Sequence, residues 1–325
     1  MGKKILIGGG HGTGAVIEGM REIKSLLDII AIVAVTDDGG SSKILRLLYN
    51  ILAVGDVRNV IGAFIPNEEK EFRDLINFRF GKNPKSFLYK HPIGNLILVA
   101  CLQMYKGDFE KAIQMTMRLF RASNTVLPAT SGNAHLCARL DDETVIKGEG
   151  NIDSRPLDDC RQITSVFLEP RVKVFPKVAN LLYQADESDR IILCPGSIWT
   201  SLISNLAVEG MKEALQKTRA KLVYVVNLMT NYKETRGWTA LTHVKEIYKQ
   251  LGRMIDVVIC NTGVISEEAC FAYLAEDSEQ VDVNPPDVEK MSNYAHEIIL
   301  DDFIDRRLKK SVRHSSRLAE IIVSL

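Results

Sequence analysis

Three short turns, each rich in glycine or acid, follow directly on apolar runs. Gly8-Gly9-Gly10-His11-Gly12-Thr13-Gly14 follows Lys3-Ile7, Thr36-Asp37-Asp38-Gly39-Gly40-Ser41-Ser42 follows Ile29-Val35, and Pro195-Gly196-Ser197-Ile198-Trp199-Thr200-Ser201 follows Arg190-Cys194. Apolar runs of this length that end in glycine turns read as strands of a covered sheet. Ligands of open α/β sheets sit outside the carboxyl ends of the strands. The three turns therefore predict one shared cleft for a phosphorylated ligand.

The pattern predicts strands at 3–7, 29–35, 190–194, 222–226, 257–260 and 297–300. It predicts helices at 13–24, 198–206, 211–218, 238–251, 267–275 and 316–323. Between strand two and the later strands the rhythm changes. Residues 43–121 carry helical spacing, and Ala134-Leu140 and Thr144-Lys147 flank a turn-like Asp141-Asp142-Glu143, with Val166-Leu168 as a further strand. The fold class expected is α/β: a doubly wound, mostly parallel Rossmann-like sheet with a helical and β-hairpin insertion. Residues 1–325 read as a single α/β domain with residues 43–170 as the insertion.

Lysine plus arginine and aspartate plus glutamate balance at 41 each. That argues against nucleic acid as a partner, which needs a concentrated basic face. No apolar stretch reaches the roughly 18 residues of a membrane span, and no signal-peptide layout is present, so the cytoplasm is expected. The six cysteines show no CxxC spacing and read as buried, reduced thiols.

Gly10-x-Gly12-x-x-Ala15 satisfies a relaxed dinucleotide fingerprint. Backbone N–H groups of Gly10, Gly12, Thr13 and Gly14 at a helix start suit a phosphate. Nicotinamide binding is disfavoured because a helical stretch replaces the early third strand. The missing GxxxxGK[ST] argues against a Walker-type site. Asp37 and Asp38 at a strand end suit a divalent cation, base catalysis or ribose contact. Ser41 and Ser42 suit a helix cap beside an anion. Asp-Gly-Gly is equally good turn chemistry.

These turns are joined by Gly55-Asp56-Val57-Arg58-Asn59, His91-Pro92-Ile93-Gly94-Asn95-Leu96, Val126-Leu127-Pro128-Ala129-Thr130 and Asn227-Leu228-Met229-Thr230. In this order the motifs resemble, over nearly the whole chain, the superfamily of bacterial gluconeogenesis factors and the 2-phospho-L-lactate transferase of deazaflavin-coenzyme synthesis. The Val126-Thr130 segment, Glu234-Thr235 and Arg313-His314 are similar to the gluconeogenesis-factor branch. That branch implies a cytoplasmic protein for growth and cell shape on gluconeogenic carbon, binding UDP-N-acetylglucosamine with no established reaction. The transferase branch implies phospholactyl transfer from a guanylyl-activated donor to a deazaflavin alcohol, with Mg2+ as cofactor and Asp37 and Asp38 as catalytic candidates. Neighbours in the superfamily imply a homo-oligomer, and a regulatory role implies a protein partner of unknown identity.

The chain departs from the family pattern at the lengthened loop (His11-Gly12), at Lys43 after the serines, at Pro92 in place of serine and at Thr242 in place of aspartate. Among the motif residues, Asp56 and Arg58 either pair with each other or leave Arg58 for a phosphate. His91 and Asn95 stand at a helix start as cleft candidates. Gly196, Ser197 and Thr200 offer donors for a diphosphate or a simple cap. Asn227, Thr230, Glu234 and Thr235 follow a buried strand, and the asparagine amide suits a uracil edge. Asn59 comes with its motif. The resemblance places Tyr273 against a sugar nucleotide and Arg313 against a phosphate.

Overall fold

The computed structural model describes residues 2–26 and 28–325. Its main sheet has seven strands, all parallel. They are β1 (Lys4–Gly8), β2 (Ile29–Val33), β3 (Thr125–Pro128), β7 (Arg190–Leu193), β8 (Lys221–Val225), β9 (Ile255–Asn261) and β10 (Ala295–Asp301), in the order β10-β9-β8-β7-β1-β2-β3. A separate antiparallel sheet holds β4 (His135–Leu140), β5 (Val145–Lys147) and β6 (Ile163–Glu169), in the order β5-β4-β6.

The period of two along each strand divides the core into two layers. Ile5, Ile7, Ile191, Leu193, Leu222 and Tyr224 pack on one face, with Leu136, Ala138 and Leu168 of the small sheet and the helices at 198–206 and 240–251. Leu6, Ala31, Val33, Ile192, Val223 and Val225 pack on the other, beneath the helices Gly10–Glu22, Gly55–Ala63, Ile93–Met104 and Ser316–Ser324. Both faces are covered, which is why these strands read as unbroken apolar runs.

The expected fold class is therefore the observed one, and the hairpin and its third strand are present. Three features differ from the expectation. Thr125–Pro128 rejoins the main sheet beside β2, so the helical stretch before it is a crossover between two neighbouring strands. Four residues ending in proline give too short a signal for a strand, and proline is tolerated there because β3 lies at the edge. The first helix begins at Gly10 rather than Thr13, with Gly9 as N-cap; the lengthened loop is the helix's own first turn. Helices at Glu149–Asp153, Pro176–Gln184 and Pro285–Met291 were not expected. Among the cysteines, Cys160 and Cys270 are exposed and the other four are buried. Among the described residues, no helix is long and apolar enough to cross a membrane.

Beneath the sheet, His243 lies edge-on to Trp238 and is fully buried. Its Nδ1 donates to the Thr239 carbonyl at 2.9 Å, which leaves Nε2 bare and without a protein partner. Burial pushes the imidazole down from 6.5 to about 4. The unfolded chain takes up this proton first on acidification, so the histidine contributes a loss of stability as pH falls from 6.5 towards 4. The expected slope is about 1.4 kcal/mol per pH unit. Urea midpoints measured between pH 7 and 4.5 should show it, and His243→Gln should make it shallower; an unchanged slope would refute the assignment.

Candidate functional site

The strand order reverses between β1 and β7, where a doubly wound sheet opens a crevice. There the first and third turns meet backbone to backbone. A Cβ on Gly12 would lie 1.6 Å from the Pro195 carbonyl oxygen. Beyond this contact opens a cleft of about 440 Å3. Of the residues expected at a site, Gly10, Gly12, Gly14, Asn59, Gly196, Ser197, Asn227, Thr230, Glu234, Thr235, Tyr273 and Arg313 line it. The first helix has no side-chain cap from Gly9, but the buried Asp56 carboxyl accepts from Gly10 N, so only the remaining leading N–H groups are left for a ligand.

Several of these side chains are already engaged. Asn227 accepts from Gly196 N at 2.9 Å and donates to Gly196 O at 2.6 Å, so its amide holds the third turn and is not open to a base. Glu234 is fully buried and accepts from Ser197 Oγ at 2.6 and 2.7 Å, from Thr200 Oγ1 at 3.1 Å and from Trp199 N at 3.3 Å. Burial raises its pKa against the pull of those donors. Ser197 Oγ also accepts from Thr200 N at 2.9 Å, which makes it the cap of the following helix. Thr230 Oγ1 accepts from Glu279 N, and Thr235 Oγ1 accepts from Asn231 N, both at 2.9 Å. Thr13 is buried behind the turn, and Thr200 belongs to the Glu234 network outside the cleft lining.

The second turn does not share the cleft, contrary to the expectation of one common site. The first turn of the helix Gly55–Ala63 stands between them. A Cβ on Gly55 would approach Asp37 Oδ2 at 3.1 Å, and one on Gly10 would lie 2.6 Å from the Asp56 Cα. Behind that helix lies a second polar cluster. Asp37 Oδ1 accepts from Gly39 N at 2.7 Å, and Asp38 Oδ1 accepts from Gly150 N at 2.6 Å, which pins the small sheet's helix. Ser41 and Ser42 lie within a helix whose N-cap is Gly39, so they do not cap it. Ser41 Oγ meets His91 Nδ1 at 2.8 Å and accepts from Asn95 Nδ2 at 3.1 Å. Arg58 donates through Nε to Asn95 at 3.4 Å and through Nη1 to Asn77. Asp56 and Arg58 form no ion pair; burial and Arg79 lower Arg58 to about 10.

Carboxylates crowd in this second cluster. Burial and Asp37 raise Asp56, and burial together with a hydrogen bond to Asp37 raises Glu149. No three His, Cys, Asp or Glu side chains among the described residues form a ready metal cage. His11 lies between the two regions. Partial desolvation and Arg58 lower its pKa, Asp37 opposes them, and Arg79 and Arg313 add to the lowering.

Residues outside the expected site set complete the cleft, among them His11 and His314 from within the motifs and Glu18, Arg73, Asn77 and Asn231 from outside them. Glu18 lies one helical period past Gly14, which is the one signal a sequence could offer for it. His314 is held neutral by burial, at about 4, and donates to the Val226 carbonyl.

Comparison with known proteins accords with this geometry. Residues 5–304 match the family model described as 2-phospho-L-lactate transferase CofD. The chain is 36% identical to a relative from Thermotoga maritima over 98% of each chain. It is 34% identical to the gluconeogenesis factor of Bacillus subtilis over 100% of this chain and 99% of that one. A crystal structure of a Bacillus halodurans protein superposes with a TM-score of 0.89 at 31% identity, covering 99% of this chain and 100% of the other. With the site at the sheet's switch point and the match spanning nearly every element, this chain belongs to the family of the 2-phospho-L-lactate transferase and the gluconeogenesis factors.

Proposed function

We propose that the cleft binds a nucleotide sugar, UDP-N-acetylglucosamine, and that the bound state regulates growth and cell shape on gluconeogenic carbon sources. The observation that carries this reading is that the glycine helix start, Arg313 and Tyr273 line one cleft. A helix N-terminus and a guanidinium together suit a diphosphate. Asn59, whose amide has no protein partner among the described residues, replaces Asn227 as the amide open to a base or sugar, while Asn231 offers its Nδ2, its Oδ1 accepting from Lys233 N at 2.9 Å. The relatives named gluconeogenesis factors support the physiological role. In this reading the protein works in the cytoplasm as a homo-oligomer through a protein partner.

A second reading rests on the crowded carboxylates behind Gly55. Magnesium keeps several waters and needs only one or two carboxylates plus substrate phosphates. Asp37 and Asp56 would hold it there, and it would supply charge neutralisation for phosphoryl transfer. The family model's description favours this chemistry. Calorimetric titration separates the two. Micromolar binding of UDP-N-acetylglucosamine, weakened at least about tenfold in Arg313→Ala, is the expected result. Binding of GDP with magnesium, and none of the UDP-sugar, would overturn the first reading in favour of the transferase.

A further inference from the structure

We propose that residues 264–278 and 302–315 form a flap over the cleft, latched by Arg313 to Glu18, and that Glu18 is a built-in competitor for the anionic ligand. The ligand-competition part rests on the nucleotide-ligand reading above; the latch itself does not.

The helix Glu267–Leu274 is mostly apolar after its two leading glutamates, yet only Ala269 is buried and Phe271 is 74% exposed. Cavities flank it on both sides. One of about 240 Å3 is lined by Ala269, Ile304 and Leu308, and one of about 470 Å3 by Met229, Cys270 and Leu274. A helix with voids on both flanks lacks the close packing that makes an element rigid.

The helix is instead fastened to the C-terminal strap. Tyr273 Oη accepts from Val312 N at 3.2 Å, Ser266 Oγ donates to Lys309 O at 2.9 Å, and Arg306 Nη1 donates to Val264 O at 2.7 Å. The two pieces therefore move together. The strap's base is closed by Ser315 N donating to Phe303 O at 2.7 Å, and Phe303 is buried. Two ion pairs tie the strap to the first helix, that of Arg313 beside the base, where Asp305 N donates to Arg313 O at 2.9 Å, and that of Arg307 nearer the tip. Arg313 Nη1 meets Glu18 Oε2 at 2.7 Å, and Arg307 Nη2 meets Glu22 at 3.0 Å. Glu18 and Glu22 lie one turn apart on the same helix face.

Only two carboxylates line the cleft among the described residues, Glu18 and Glu234. Glu234 is engaged by Ser197, Thr200 and Trp199. Glu18 is the sole side-chain partner of Arg313 among the described residues, and that side chain remains 55% exposed. Exposed ion pairs are weak and exchange readily. A phosphate entering at the helix start meets Arg313 already paired through Nη1 with Glu18, a like-charged rival for the same guanidinium.

Limited trypsin digestion of the ligand-free protein tests the latch. Cleavage within residues 306–310 should be roughly two- to fivefold faster in Glu18→Gln than in wild type, the size of an exposed ion pair, and faster likewise in Arg313→Ala. The two variants should then diverge on titration with UDP-N-acetylglucosamine: tighter binding for Glu18→Gln by a similar factor, loss for Arg313→Ala. Unchanged cleavage in both variants overturns the latch, and equal or weaker binding by Glu18→Gln overturns the competitor. If wild type and Glu18→Gln both ignore the UDP-sugar, the ligand reading and the competitor built on it fall together, while the digestion still decides the latch. Unfolding midpoints close to wild type would establish that both variants are folded.

Discussion

Gly12→Ala is expected to destabilise the protein by about 3 kcal/mol and to abolish ligand binding. The added methyl would sit 1.6 Å from the Pro195 carbonyl oxygen and 2.5 Å from its carbon. Both atoms belong to the backbone, so no side chain can turn away; either β7's turn moves or the first helix does. Gly14, two residues on, gives the opposite expectation. Its nearest neighbour would be the Ala63 Cβ at 3.8 Å, an ordinary contact. Alanine in a helix interior is favoured over glycine by up to about 1 kcal/mol, so Gly14→Ala should match or exceed wild type. Urea unfolding of the two variants, side by side, tests the pair. Equal midpoints would mean that the two turns do not touch in solution.

Glu234→Ala should cost about 3 kcal/mol or more, since it strips the acceptor from two hydroxyls and the Trp199 amide in a buried site and leaves a void. Glu234→Gln keeps an oxygen for these donors, and the hydroxyls of Ser197 and Thr200 can accept from its amide; about 1 kcal/mol is expected. The pH dependence carries a sign that the stability loss alone does not. Burial raises the folded pKa of Glu234 above its ordinary 4.5, so the folded state holds a proton that the unfolded state releases. Stability from this group is greatest below 4.5 and declines as pH rises through the raised value. This contribution opposes that of His243, so it is read as a difference: Glu234→Gln midpoints should rise more steeply with pH than those of wild type. A variant with the same pH slope as wild type would remove Glu234 from the titration. Weaker UDP-sugar binding is also expected in Glu234→Ala, because Ser197 at the cleft loses its partner.

Much of the architecture is legible in the chain itself. Strands such as Lys221–Val225 and Ile255–Asn261 are nearly continuous apolar runs, and only a parallel sheet covered on both faces buries both sets of alternate side chains. The glycine turns mark where those strands end, and the local rules for turns and caps place Ser197 correctly at its helix start. Thr125–Pro128 escaped because four residues carry too little periodicity, and its strand character comes from pairing with β2.

What sequence alone determined is therefore the fold class, the strand ends and the glycine turns that meet at the switch point. Tertiary structure decided which polar groups remain open there. The helix at Gly55 separates Asp37 and Asp38 from the cleft. Asn227 and Glu234 reach the cleft with their hydrogen-bonding capacity committed to Gly196 and to Ser197, Thr200 and Trp199. Glu18 and Arg313, 295 positions apart, become partners across its mouth. Residue type states how many hydrogen bonds a side chain can make. Which partners take them depends on packing between distant segments, and local sequence holds no record of that.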